Sequence, residues 1–197
     1  MNLGRAIRIG AAAAVVVATA IEARRGHPNW EKQLYKGINN APDELAPIAW
    51  LPMQEGSLTA PFVLAAVSYR RTKSLDPALA YAGAGFVTWL AAKGVKKLVG
   101  RGRPYDHDPT TNLRLATKID GSLGYISGHA AVASTLATVM AHDQPLGRSL
   151  GVHALAVTVG ITRIYAGAHL PLDTIGGNAF GILVGEATNA LRESVCS

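Results

Sequence analysis

Residues 121–142 carry no charged side chain, in a chain where charges otherwise interrupt every apolar stretch. Bounded by Asp120 and Asp143, this stretch is long enough, at about 1.5 Å per helical residue, to cross a hydrocarbon core about 30 Å thick. Shorter uncharged windows repeat the pattern at 9–21, 56–69, 77–92, 149–162 and 174–185. They are apolar on all sides and lack the polar stripe that a surface helix in water shows at helical spacing. The sequence therefore reads as all-α: six transmembrane helices, about 6–23, 56–71, 77–99, 127–142, 147–166 and 171–191, in one domain over residues 1–197. A water-soluble bundle with Ala-rich core helices is the plainer alternative, because several windows fall short of about 20 residues.

Hydrophobic residues make up 49% of the chain and charged residues 16%, which excludes disorder. One cysteine, Cys196, excludes an internal disulfide or a cysteine-based zinc site. A net charge of +6 points to an anionic partner: nucleic acid, lipid headgroup or phosphate. The basic residues sit at span ends and form no aromatic-interleaved stripe, which disfavours nucleic acid. With the N-terminus inside, Arg5, Arg8, Arg70, Arg71, Lys73 and Arg148 fall on the cytoplasmic side, while Arg24 and Arg25 count against that layout. The first segment also resembles a signal peptide, with Ala18-Thr19-Ala20 as a small-residue cleavage site. Gly177, Gly181 and Gly185 form a row that lets helices approach closely, here expected within one bundle. Residues 26–55 hold four prolines and two tryptophans. Asn29 suits the cap of a short helix bearing Trp30, Leu34 and Ile38 on one face. Trp30, Tyr35 and Trp50 are types that settle at headgroup level, so this segment is an interfacial helix or an aromatic-anchored loop.

The chemistry-bearing residues gather at span ends on one side. Lys96-Lys97-Leu98-Val99-Gly100-Arg101-Gly102-Arg103-Pro104 closes the third span, where basic residues ordinarily snorkel. Ser127-Gly128-His129 opens the fourth, with Ser127 placed to cap the helix and free amides placed to attract an anion. Thr162-Arg163 ends the fifth, and His169 precedes the sixth with Asp173 four residues on, within reach of an imidazole nitrogen. Each motif alone also suits a structural role. Jointly they offer three cations, Lys96, Arg103 and Arg163, with a hydroxyl and helix-start amides, which is what holding a phosphoryl group requires. Two histidines add a nucleophile and a proton donor. His27, His107, His142 and His153 lie outside these motifs and read as surface or helix residues.

The three motifs resemble those of the phosphatidic acid phosphatase type 2 superfamily, whose fold is shared with bacterial acid phosphatases and vanadium haloperoxidases. The family pattern is Lys-x6-Arg-Pro, Pro-Ser-Gly-His and Ser-Arg-x5-His-x3-Asp. Lys96-x6-Arg103-Pro104 matches in full, Ile126 replaces the proline before Ser127, and Thr162 replaces the serine before Arg163. The resemblance covers residues 57–190. It implies a membrane lipid-phosphate phosphatase working through a phosphohistidine: His169 attacks phosphorus, Asp173 orients it and His129 protonates the departing oxygen. Lys96, Arg103, Ser127, Gly128 and Arg163 hold the phosphoryl oxygens. The Ala- and Gly-rich composition and small size read as bacterial, the layout with the N-terminus inside puts the motifs on the extracytoplasmic side of the plasma membrane, and no cofactor is expected. The substrate would be a polyprenyl phosphate or diphosphate, phosphatidic acid or phosphatidylglycerol phosphate. The sequence shows no carboxylate cluster or His-x-x-x-His pair suited to a metal, so EDTA-resistant hydrolysis is expected. Two rivals use the same residues: a protein that binds or moves a lipid phosphate without cleaving it, and a vanadate-dependent haloperoxidase.

Overall fold

The computed structural model describes residues 3–114 and 123–196; Asp120 and the side chain of Cys196 lie outside what it describes. Among the described residues the regular elements are helical: α1 (Leu3–Arg25), α2 (Asn29–Asn39), α3 (Ala46–Met53), α4 (Ala60–Thr72), α5 (Leu75–Val99), the single turn α6 (Pro104–His107), α7 (Gly128–Ala141), α8 (Leu146–Tyr165) and α9 (Pro171–Cys196). The expected spans correspond to α1, α4, α5, α7, α8 and α9. Expected to begin at residue 56, α4 instead starts at Ala60, because Gln54–Gly56 form a 3-10 turn that ends in extended backbone at Ser57. By length and composition α1 and α5 can each cross a bilayer.

The long helices alternate in direction, which gives the bundle two chemically different ends. At one end the Arg24 guanidinium donates to the Leu98 carbonyl, tying the last turn of α1 to that of α5. At the other, Arg5 pairs with Glu186 and Glu193, and Arg192 with Asp76, tying the start of α1 and of α5 to the end of α9. The α7–α9 contact forms the centre. A Cβ on Gly177 would stand 2.6 Å from the Ser127 carbonyl oxygen, and Cβ atoms on Gly181 and Gly185 would run into Ala131 and Thr138. The glycine row is thus spent on packing inside the chain, as the sequence suggested.

Most of what α7 buries is small or weakly polar. Ala130, Ala131, Ala133, Ser134, Thr135 and Thr138 of α7 are all enclosed, and Thr88 of α5 shares a 2.8 Å hydroxyl contact with Thr135. Large apolar side chains point outward instead: Phe62 and Val63 on α4, Leu79 and Leu90 on α5, Leu150 and Leu155 on α8. A protein folded in water keeps such residues inside. The reversal suits close helix packing by small residues with an apolar medium outside.

Residues 26–55 are mostly helical, in α2 and α3. Asn29 is the first residue of α2 rather than its cap; the cap position is Pro28, with extended backbone and no side-chain bond. The helix is also turned over relative to a water-soluble amphipathic helix. Trp30 and Leu34 are exposed, while Glu31, Tyr35 and Asn39 face the bundle and are buried. Asn39 donates to the carbonyls of Asn112 and Tyr165, and Tyr35 to the Thr111 hydroxyl, so the polar face is the anchored one.

Candidate active site

The end of the bundle marked by Arg24 and Leu98 is also where α5 and α8 finish and α7 and α9 begin. Basic residues in a last helical turn and exposed amides in a first turn both favour an anion. Ser127 is the N-cap of α7: its hydroxyl accepts the Ala130 N–H at 3.4 Å, and its own N–H donates to the Asp173 carbonyl at 2.8 Å. That second bond clamps the Ser127-Gly128-His129 motif to the start of α9. Gly56 lies flat on the backbone of His129, with a would-be Cβ 2.5 Å from its carbonyl oxygen, so no larger residue fits there.

Around these helix starts stand the three cations. The Arg103 guanidinium donates to the Ala168 carbonyl at 2.8 Å, directly before His169, while the Arg103 N–H donates to Asp106. The Lys96 ammonium donates to the Gly124 and Leu123 carbonyls at 2.9 and 3.3 Å. Arg163 is buried, with one amino group 2.9 Å from the Met53 sulfur and its Nε with no acceptor among the described residues. A thioether is a weak acceptor. A guanidinium left with so poor a partner in a buried place is suited to a missing anion.

His169 is 3% exposed and sits in this ring of positive charge. Burial, then Lys96, Arg103, Arg163 and His129, hold its imidazole well below the ordinary histidine range, so the neutral, nucleophilic form prevails. Its Nδ1 lies 3.5 Å from the Asp173 carboxylate but has no hydrogen-bond partner among the described residues. The expected Asp173–His169 hydrogen bond is therefore a longer contact. The physical reason is competition: one Asp173 oxygen accepts the Leu170 N–H and the other accepts Arg101, both at 2.9 Å.

Each of Lys96, Arg103, Ser127, Gly128, His129, Arg163, His169 and Asp173 thus falls at this one end of the bundle. The sequence reading missed what lies behind them. Arg101 bridges Asp173 and Glu31, and also donates to the Gly26 carbonyl and contacts Nδ1 of His27 at 2.8 Å. Bonding to Glu31 and the nearby Asp173 charge outweigh burial and raise the Arg101 pKa further. Glu31 is fully buried and accepts the Leu172 N–H as well. His27, expected to be a surface or helix residue, lies against Arg101 and meets the His107 ring at a tilt of 52°, with centroids 4.4 Å apart; burial and Arg101 lower its pKa. The one signal in the sequence was an acidic residue next to an aromatic in a short helix, followed far downstream by two arginines in a basic run.

The PAP2 superfamily model matches residues 73–193, and the chain belongs to that superfamily. A relative, the lipid A 1-phosphatase of Rhizobium etli, is 34% identical over 95 residues, covering 47% of this chain and 40% of that protein. The match thus spans less than half of that relative's length. Among solved structures, Aquifex aeolicus LpxE superposes with a TM-score of 0.68 at 27% identity, over 80% of this chain and 93% of its own. A transmembrane PAP2-type phosphatidylglycerolphosphate phosphatase from Bacillus subtilis gives a TM-score of 0.71 at 20% identity, over 93% and 96%, which speaks to fold. The all-α architecture expected from the sequence is therefore that of PAP2 phosphatases.

Proposed function

We propose that the protein is an integral membrane phosphatase that hydrolyses a lipid phosphomonoester or diphosphate through a phosphohistidine. The observation that carries the reading is the buried cation cluster around a neutral histidine, with an Arg163 Nε that no acceptor satisfies among the described residues. In the reaction, Nε2 of His169, the nitrogen turned away from Asp173, attacks phosphorus. The phosphorus–oxygen bond to the lipid breaks and His129 gives its proton to the departing oxygen. His129 then takes a proton from water, the resulting hydroxide attacks phosphorus, and the phosphorus–nitrogen bond breaks to release inorganic phosphate and neutral His169. Lys96, Arg103, Arg163 and the amides at the start of α7 counter the charge on the phosphoryl oxygens. Those cations suffice for charge neutralisation, so turnover is expected to persist in EDTA.

Membrane residence is supported by the outward-facing large apolar side chains and by the two helices long enough to span. Six spans follow if α4, α7, α8 and α9 also cross. A cytoplasmic far end and an outer site are supported by Arg5, Arg8, Arg70, Arg71, Lys73 and Arg148 at the far end. Arg24 and Arg25 count against that layout, and the basic run Lys96–Arg103 at the site end is accounted for by an anionic substrate. A lipid substrate is supported by an apolar cleft of about 320 Å³ lined by Leu64, Leu136, Met140 and Leu155, with Gln54 and Glu55 at one end, next to the glycine that lies on His129. A bacterial plasma membrane is the setting that the relatives suggest. Their names point to lipid A and glycerophospholipid phosphates beside the polyprenyl phosphates.

The test is phosphate release by the purified protein in detergent from polyprenyl phosphate and diphosphate, phosphatidic acid, phosphatidylglycerol phosphate and lipid A. Release from one or more supports the reading. Binding of these lipids with no release from any would leave a carrier instead.

A further inference from the structure

The residue behind the site, Glu31, lies on α2, upstream of the segment the superfamily model matches. It is fully buried, as is Asp173, and Arg101 stands between them with the same amino group 3.0 Å from Glu31 and 2.9 Å from Asp173. Two carboxylates share one guanidinium, leaving a net negative charge behind His169. Had Arg101 faced Asp173 alone, its charge would cancel the carboxylate that His169 needs. Burial of an additional acid without purpose is costly.

We infer that Glu31 is a positioning residue for the phosphohistidine reaction, resting on the function proposed above: it occupies Arg101 so that Asp173 keeps its charge for His169. When Nε2 of His169 bonds to phosphorus the ring becomes cationic, with its proton on Nδ1 beside Asp173. The charge there is then balanced by the Asp173 carboxylate, 3.5 Å from Nδ1, whose charge Arg101 does not cancel because it shares Arg101 with Glu31. Glu31 also holds the first turn of α9 through the Leu172 N–H, which fixes the height of Asp173 against the ring. The groups facing His169 are Lys96 of α5, Arg103, His129 of α7, Arg163 of α8 and Asp173 of α9, and Glu31 acts on them only through Arg101.

The experiment is steady-state kinetics of the full-length protein in detergent for Glu31→Gln, Asp173→Asn and the double variant, on whichever lipid phosphate the wild type cleaves. In Glu31→Gln the amide oxygen still accepts from Leu172 and one Arg101 amino group, while the amide nitrogen replaces the oxygen that accepts from the other, so the charge and that one bond are lost. Glu31→Gln should lower kcat about tenfold or more with KM within about twofold, and Glu31→Asp should recover most of it. In the Asp173→Asn background the same change should cost little, because the path runs through Asp173. Turnover is counted per vanadate-binding site, so loss of folded protein does not enter kcat. Wild-type kcat in Glu31→Gln, or an undiminished penalty in the double variant, would overturn the inference. A wild type that cleaves none of the lipids would overturn the function itself, a separate result.

Discussion

The two ends of the bundle hold buried cations in opposite ways. At the far end, the mostly buried Arg5 meets Glu186 and Glu193, Arg8 meets Glu186, and His142 stands beside Glu193. At the site end, neither Lys96 nor Arg163 is ion-paired among the described residues, and the two buried acids there, Glu31 and Asp173, are both engaged by Arg101. One end has its charges matched internally and is built for cohesion. The other keeps positive charge in reserve, which raises the energy of the empty site and is recovered when an anion enters. Function in this molecule is thus legible as incomplete electrostatics.

The largest effect that could break this contrast is at the nucleophile. His169→Ala should reduce phosphate release by at least about 10⁴-fold while leaving the unfolding midpoint near that of wild type. Residual turnover near wild type would assign the chemistry elsewhere. Next come paired substitutions at the two ends. Arg163→Gln should cost about 10²- to 10³-fold in kcat/KM without lowering the thermal midpoint. Glu186→Gln should lower that midpoint by about 5 °C or more, since it takes the partner from Arg8 and leaves the buried Arg5 with Glu193 alone, with turnover nearly unchanged. If both variants lost stability alike, the ends would not differ.

A smaller effect concerns pH. His169 is held below its ordinary range by burial and by neighbouring cations, so the acid limb of turnover should fall below about pH 6.5. Removing a neighbouring positive charge makes protonation easier and raises that pKa. Lys96→Gln should therefore shift the normalised acid limb upward by about one pH unit. A limb that stays fixed would remove Lys96 from the field acting on His169. The mildest change is Leu64→Trp in the apolar cleft, expected to raise KM severalfold for a long-chain lipid phosphate and leave a short water-soluble phosphate ester unaffected. Equal effects on both would take the cleft out of substrate binding.

How far the sequence carried depends on the range of the contacts. The helices show as uncharged windows, and α5, α8 and α9 fall where those windows put them. The motifs carry residues whose proximity follows from sharing helix ends, so His129, His169 and Arg163 could be gathered before any coordinates. Glu31 and Arg101 could not, being 70 positions apart and joined only when α2 folds over the site. On α2, Trp30 and Leu34 of the expected apolar face are exposed, whereas Ile38 packs with Tyr35 against Ile164 and Leu170 and Glu31 is buried toward the site, a side the sequence did not mark.

The central claim is that phosphorus becomes bonded to His169. Rapid mixing with a cleavable lipid phosphate, quenching in alkali where phosphohistidine survives, and peptide mass spectrometry would locate the transferred group. The account predicts one phosphoryl group on the peptide containing His169, absent in His169→Ala and accumulating in a His129→Ala variant that cannot activate water. Turnover with no phosphorylated peptide in either the wild type or His129→Ala, or phosphate on a different residue, would contradict it.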